Sequence, residues 1–110
     1  MSLQQYIEKY TYRVEWSEED NLHIAHCLEL PSVIAHGNTV HSALSELELA
    51  VKASLEWMVQ EKEEIPEPIG LKKYKGNLTL RVPPAVHRKL ALRSAEEGVS
   101  INQYILSKIS

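Results

Sequence analysis

The chain has 110 residues, 44% of them apolar and 25% charged, with a formal net charge of −3. That length suits one ordinary domain or two small ones, and a lone cysteine, Cys27, excludes an intrachain disulfide and a CxxC zinc motif. No apolar run is long enough for a membrane span and the start lacks a signal-peptide pattern, so a reducing cytoplasm is the expected location.

Met1-Ser2-Leu3 is assigned no function, and the first predicted element begins at Tyr10. Tyr10, Tyr12, Val14 and Trp16 alternate with Thr11, Arg13 and Glu15, the pattern of a half-buried strand. Ser17 to Asn21 is a polar turn. Leu22, Ile24, His26, Leu28 and Leu30 alternate with His23, Ala25, Cys27 and Glu29, a second strand paired with the first. Pro31-Ser32 is expected to break it. Val33 to His36 is a short third strand, and Gly37-Asn38 turns the chain.

Thr39 is a fitting N-cap, and from Val40 to about Glu63 the apolar period becomes helical. Val40, Leu44, Leu47, Val51, Leu55 and Met58 form the stripe expected to be buried. A second apolar line, Leu49, Ala53 and Trp57, lies on another flank. It reads either as a widening of the core face or as a contact for a partner. Ile65-Pro66-Glu67-Pro68-Ile69-Gly70 ends the helix and reads as a stiff spacer.

The sign of the charge changes at this spacer. Residues 1–68 carry four Lys and Arg against thirteen acidic residues, a net −9; residues 69–110 carry eight against two, a net +6. Two modules with different partners are expected, residues 1–69 and 70–110. The basic one can attract a polyanion.

In the second module Leu78, Leu80 and Val82 alternate with Asn77, Thr79 and Arg81, a short strand that Pro83 stops. Pro84 suits the first turn of a helix, in which Val86, Leu90, Ala91 and Ser94 make a narrow face. Gly98 reads as a C-terminal stop and Ser100 as the N-cap of a second helix, with Ile101, Tyr104, Ile105 and Ile109 inward. One strand and two short helices bury too little to be stable alone. Pairing with a second copy through the strand is the simplest remedy. It would present two sets of Asn77, Thr79 and Arg81 on a ribbon of a size that fits a DNA major groove.

Leu78-x-Leu80-Arg81-Val82-Pro83, Leu90 and Gly98-x-Ser100-x-Asn102 resemble the ribbon-helix-helix DNA-binding fold of the Arc/MetJ type. The resemblance implies a homodimer in which Asn77, Thr79 and Arg81 read bases. The backbone at Ser100, Ile101 and Asn102 would hold a phosphate. Lys75, with Lys72 and Lys73, would add charge contacts to the DNA backbone. Thr79 stands where a longer amide is common in that fold.

Glu29-Leu30-Pro31-Ser32-Val33, Gly37-Asn38-Thr39 and Ile65-Pro66-Glu67-Pro68 resemble the HicB antitoxin family. Ser32 and Val33 replace a usual Gly and Cys, and Ser42 replaces a common capping glutamate. The resemblance covers the chain beyond residue 9. It implies an α+β protein: a three-stranded antiparallel sheet with a long helix, a degenerate RNase H-like layer, followed by a ribbon-helix-helix module. The implied partners are operator double-stranded DNA and a HicA-like toxin, a small basic mRNA-cleaving protein. Candidate toxin contacts are Glu18, Glu19, Asp20, Leu49, Ala53, Glu56 and Trp57, and the acidic body they belong to suits a basic partner. A dimer of dimers would be a further level of assembly.

The expected function is therefore a cytoplasmic antitoxin that represses its own operon. A metal- or small-molecule-responsive ribbon-helix-helix repressor and an orphan regulator without a toxin are the alternatives. Enzymatic activity is not expected, because two-metal nuclease chemistry needs several converging carboxylates and the chain has one aspartate, Asp20, in a turn. Nor is a metal or other cofactor. His23 and Cys27 fall on one face of a strand and His26 on the other, so they do not form a ligand set by themselves.

Overall fold

The structure, a computed structural model, describes residues 1–110. It is an α+β chain: α1 (Leu3–Lys9), β1 (Tyr12–Ser17), β2 (Leu22–Cys27), β3 (Leu30–Gly37), α2 (Val40–Gln60), a short 3-10 turn at Ile69–Leu71, α3 (Pro84–Glu97) and α4 (Ile101–Ile109). Two compact units divide it, Met1–Tyr74 and Lys75–Ser110.

In the first unit the three strands form an antiparallel sheet in the order β1-β2-β3. Tyr12 lies opposite Cys27, Val14 opposite Ala25, and Ala25 opposite Ala35, so these residues share one face. That face carries the core: Ala25, Cys27, Leu30 and Ala35 pack with Ala43, Leu47, Val51 and Leu55 of α2. The buried side of β2 is thus its small-residue side. Small side chains let the helix lie close to the central strand. Gly37 sits at the tightest point, where a Cβ would collide with Ala43 N and Ser42 Oγ. Thr39 caps α2 with a reciprocal pair: Ser42 N–H donates to Thr39 Oγ1 and Thr39 N–H to Ser42 Oγ, both at 3.0 Å.

Several expectations need correction. An N-terminal helix precedes the sheet, capped by Ser2 and Gln5; Ile7 is buried under it, and Tyr6 packs on the core. Its signal, Ser-x-x-Gln, is a capping box read straight from the sequence. The second strand ends at Cys27, and the turn falls at Leu28-Glu29. Pro31-Ser32 does not break a strand. It lies within β3, where the register slips between His26 and Cys27. A bulge on an edge strand accommodates a residue without an N–H. Val40 is exposed and Ala43 takes its expected place inside, because the helix turns its first residue toward solvent. Helix α2 ends at Gln60, short of the expected end at Glu63; just beyond it Lys62 takes a left-handed φ of 57°.

The proline segment is more than a spacer. Pro68 is fully buried, the Tyr10 hydroxyl donates to Pro66 O at 2.7 Å, and Ile69 N–H donates to Glu29 Oε2 at 2.9 Å. The Tyr74 hydroxyl donates to Ile69 O at 3.0 Å. Residues 66–69 are therefore fastened by side chains from before β1 and from the β2–β3 turn, and Tyr74 folds back onto Ile69.

In the second unit, α3 begins at Pro84 and stops at Gly98, whose φ of 71° is the left-handed conformation that favours glycine. Ser100 caps α4, its Oγ accepting Gln103 N–H at 3.0 Å. Ser94 and Tyr104 are the buried residues between these helices, with Leu90, Ile101 and Ile105 half-buried. Val86, Ala91 and Ile109, expected inside, are exposed in the single chain. Residues 77–82 carry no strand. A lone strand has no ladder partner within one chain, and neither helix can supply one.

Candidate nucleic-acid interface and partner surface

The second unit leaves an apolar surface uncovered. Leu78 is 92% exposed and Leu80 63%, while Val82 is half-buried. Leu78, Leu80 and Val82 border an open groove completed by Leu90, Ile101 and Ile105 from the two helices. Burying an exposed leucine is worth about 1.5–3 kcal/mol, so covering Leu78 and Leu80 beside this groove would be favourable.

Asn77, Thr79 and Arg81 lie in the same segment, between Gly76 (φ 81°) and Pro83, and all are exposed. A single chain does not bring them onto a ladder-bound face. Lys72, Lys73 and Lys75 precede them, also exposed. Ser100, Ile101 and Asn102 stand together at the start of α4, where the first-turn N–H groups and the positive end of the helix dipole favour an anion. Arg81 and Asn102 line the same groove as Leu78 and Ile101.

In the first unit, Glu18, Glu19 and Asp20 form the exposed β1–β2 turn, with Trp16 Nε1–H donating to Glu18 Oε1 at 2.8 Å. Leu49, Ala53, Glu56 and Trp57 are exposed on α2, Trp57 at 53%. They do not widen the core face; the helix directs them away from the sheet. Together they make an apolar stripe with acidic neighbours.

Sequence reasoning missed the most densely bonded polar side chain in this unit. Glu29 Oε1 accepts Thr11 N–H at 2.8 Å, and Oε2 accepts the Thr11 hydroxyl at 3.1 Å and Ile69 N–H. Burial pushes its carboxyl up, but the Ile69 and Thr11 donors outweigh that and hold it below the usual carboxylate range. Burial raises the Cys27 thiol, so this cysteine is an inert core residue. Burial likewise pushes the Tyr10 hydroxyl up to about 12. A glutamate at a hairpin turn gives no sequence signal of partners 18 and 40 residues away.

His26 pairs with Glu15 at 3.2 Å on the face opposite His23 and Cys27, and His23 stacks edge-on against Trp16. No three His, Cys, Asp or Glu side chains come together in a metal-ligating group. No helix is long and apolar enough to cross a membrane.

Residues 59–109 match the HicB family. The matched stretch, less than half of the chain, runs from the end of α2 through the fastened linker and almost all of the second unit. It does not extend over the sheet. No curated protein and no solved structure matches the chain.

Proposed function

We propose that this protein is an antitoxin that neutralises a HicA-type mRNA-cleaving toxin and represses its own operon by binding operator DNA. In this reading two copies pair through residues 77–82 to form a ribbon. Leu78, Leu80 and Val82 are buried over the helices, and Asn77, Thr79 and Arg81 face the major groove. Arg81 would take guanine in a bidentate contact and Asn77 adenine. The start of α4 at Ser100, Ile101 and Asn102 would hold a phosphate, and Lys72, Lys73 and Lys75 would supply salt-sensitive attraction.

The observation that carries the reading is the exposure of Leu78 and Leu80 beside a groove of Leu90, Ile101 and Ile105. A short alternating segment with its apolar side bare needs a second strand. Supporting it are the basic balance of residues 69–110 and the family match over this stretch. The acidic first unit suits a small basic toxin, with the Leu49, Ala53 and Trp57 stripe as the apolar anchor and Glu56 beside it.

Fluorescence anisotropy with the DNA upstream of the gene tests the DNA half. Expected are salt-sensitive binding and loss of it on Leu80→Lys. Tight binding by a monomer, or none at low salt, would overturn it. Co-purification with the basic protein encoded beside the gene tests the toxin half.

A further inference from the structure

Helix α2 covers one face of the sheet. The other side carries an open cleft of about 180 Å³, lined by Arg13, Glu15, His26, Cys27, Leu28 and Pro31. The cleft forms where the register slips between His26 and Cys27. Such irregularities re-aim side chains and recur beside functional sites. Arg13 lies opposite His26 across β1 and β2. Glu15 pairs with His26 at 3.2 Å, the one ion pair in the chain, so the carboxylate of the cleft is committed to the imidazole and not to the guanidinium. Arg13 is exposed and enters no ion pair. Opposite the charges stands an apolar wall. Leu28 N–H donates to Thr11 O at 2.9 Å, which fixes its backbone, while its side chain is 41% exposed beside Pro31. Glu15, His26 and Cys27 do not converge into a metal-ligating group.

We propose that this cleft binds a small organic monocarboxylate, its carboxylate on Arg13 and a short apolar chain against Leu28 and Pro31. The ligand class follows from the lining. A guanidinium takes a carboxylate in a bidentate, charge-assisted pair. Glu15 in the same cleft, and the net −9 over residues 1–68, disfavour a dianion such as phosphate. One cation suffices for a monoanion, and the apolar wall gives a bare inorganic ion nothing to cover. The size follows from the volume, which is below the roughly 300–1,000 Å³ of sites for drug-sized ligands. This site is separate from the partner surfaces proposed above, and it does not depend on the antitoxin reading.

Amide NMR shifts of the full chain test it, with sodium butyrate as the probe. Butyrate should move the amides of Arg13, His26 and Leu28 along saturable curves. Butyramide, of the same shape without the charge, should leave them in place. Arg13→Gln should weaken butyrate binding about tenfold or more, through loss of a charge-assisted pair. Leu28→Ser should weaken butyrate severalfold and leave acetate, which lacks the chain, unaffected. Glu15→Gln should tighten butyrate binding, a gain that misfolding does not imitate. Circular dichroism of all three variants should match wild type, since all three positions are exposed. Shifts that rise without saturating, equal shifts with butyramide, or unchanged affinity in Arg13→Gln overturn the proposal. Inorganic phosphate that binds at Arg13 as tightly as butyrate would make the cleft a plain anion site and overturn it as well. So would butyrate shifts confined to Ser100, Ile101 and Asn102, which would place the anion at the start of α4.

Discussion

The Glu29 carboxylate accepts Ile69 N–H at 2.9 Å, joining the β2–β3 turn to the linker across 40 residues. The same carboxylate takes Thr11 N–H and its hydroxyl, so one side chain ties three segments together. Hydrogen bonds to a charged group contribute about 1.5–3 kcal/mol where buried; this group is only half-buried, and Glu29→Gln should cost about 1–2 kcal/mol. Its folded-state pKa is lowered, so the contribution is complete above the ordinary glutamate range near 4.3 and is lost as pH falls through the lowered folded value. Urea unfolding from pH 7 to pH 3 should show a shallower acid limb for Glu29→Gln than for wild type. Trypsin should also cut faster at Lys72 and Lys73 in the variant; equal rates would show that the linker is held without Glu29.

Gly37→Ala tests the close approach of helix and sheet. Its Cβ would meet Ala43 N, Ser42 Oγ and, at 2.8 Å, Ala43 Cα, and two of those three are backbone atoms that cannot swing aside. Overpacking of this kind costs about 1–3 kcal/mol. The urea midpoint should fall by a corresponding amount with the m-value unchanged. A midpoint equal to wild type would mean that α2 can shift outward without loss.

Arg81→Ala tests the ribbon by specificity rather than affinity. If Arg81 reads a guanine, its loss should cost about 1–3 kcal/mol of discrimination between operator and scrambled DNA. The oligomeric mass should not change, because Arg81 is exposed and in the proposed ribbon Leu78, Leu80 and Val82 carry the association. Lys75→Ala should instead weaken binding to both DNAs alike and lower the salt slope by about one. Unchanged discrimination in Arg81→Ala would remove the base-reading role.

Where local chemistry decides the structure, the sequence was legible. Thr39, Pro84, Gly98 and Ser100 mark helix boundaries through caps and backbone limits that need no distant partner, and all four stand where the sequence puts them. The period-two and helical patterns likewise led to three strands and a long helix. What tertiary packing decides was not legible. Which side of β2 faces inward depends on how near α2 approaches, and the small residues Ala25 and Cys27 won over Ile24. Pro31 reads as a breaker unless the strand is known to be an edge with a bulge. The bonds of Glu29 and Tyr10 to the linker join residues far apart in sequence, so the spacer looked free. Asn77, Thr79 and Arg81 stand out by alternation alone, and the single chain forms no strand there.

The fastened linker also fixes where the first unit can be cut. Tyr74 bonds to Ile69 O, and the 3-10 turn at Ile69–Leu71 packs ahead of it, so residues 1–74 carry the whole strap and residues 1–69 lack its outer half. A 1–74 fragment should melt a few degrees above a 1–69 fragment by differential scanning calorimetry. Under the proposed function it should also capture the basic toxin while showing no affinity for operator DNA, since Asn77 to Asn102 are absent. Trp57→Ala in that fragment should weaken toxin binding by about 2 kcal/mol, as expected for an aromatic anchor. Its melting temperature should stay within a degree or so, because Trp57 is exposed and is not one of the buried core residues. Loss of stability without loss of toxin affinity would assign Trp57 to the fold and move the toxin contact to the Glu18-Glu19-Asp20 turn.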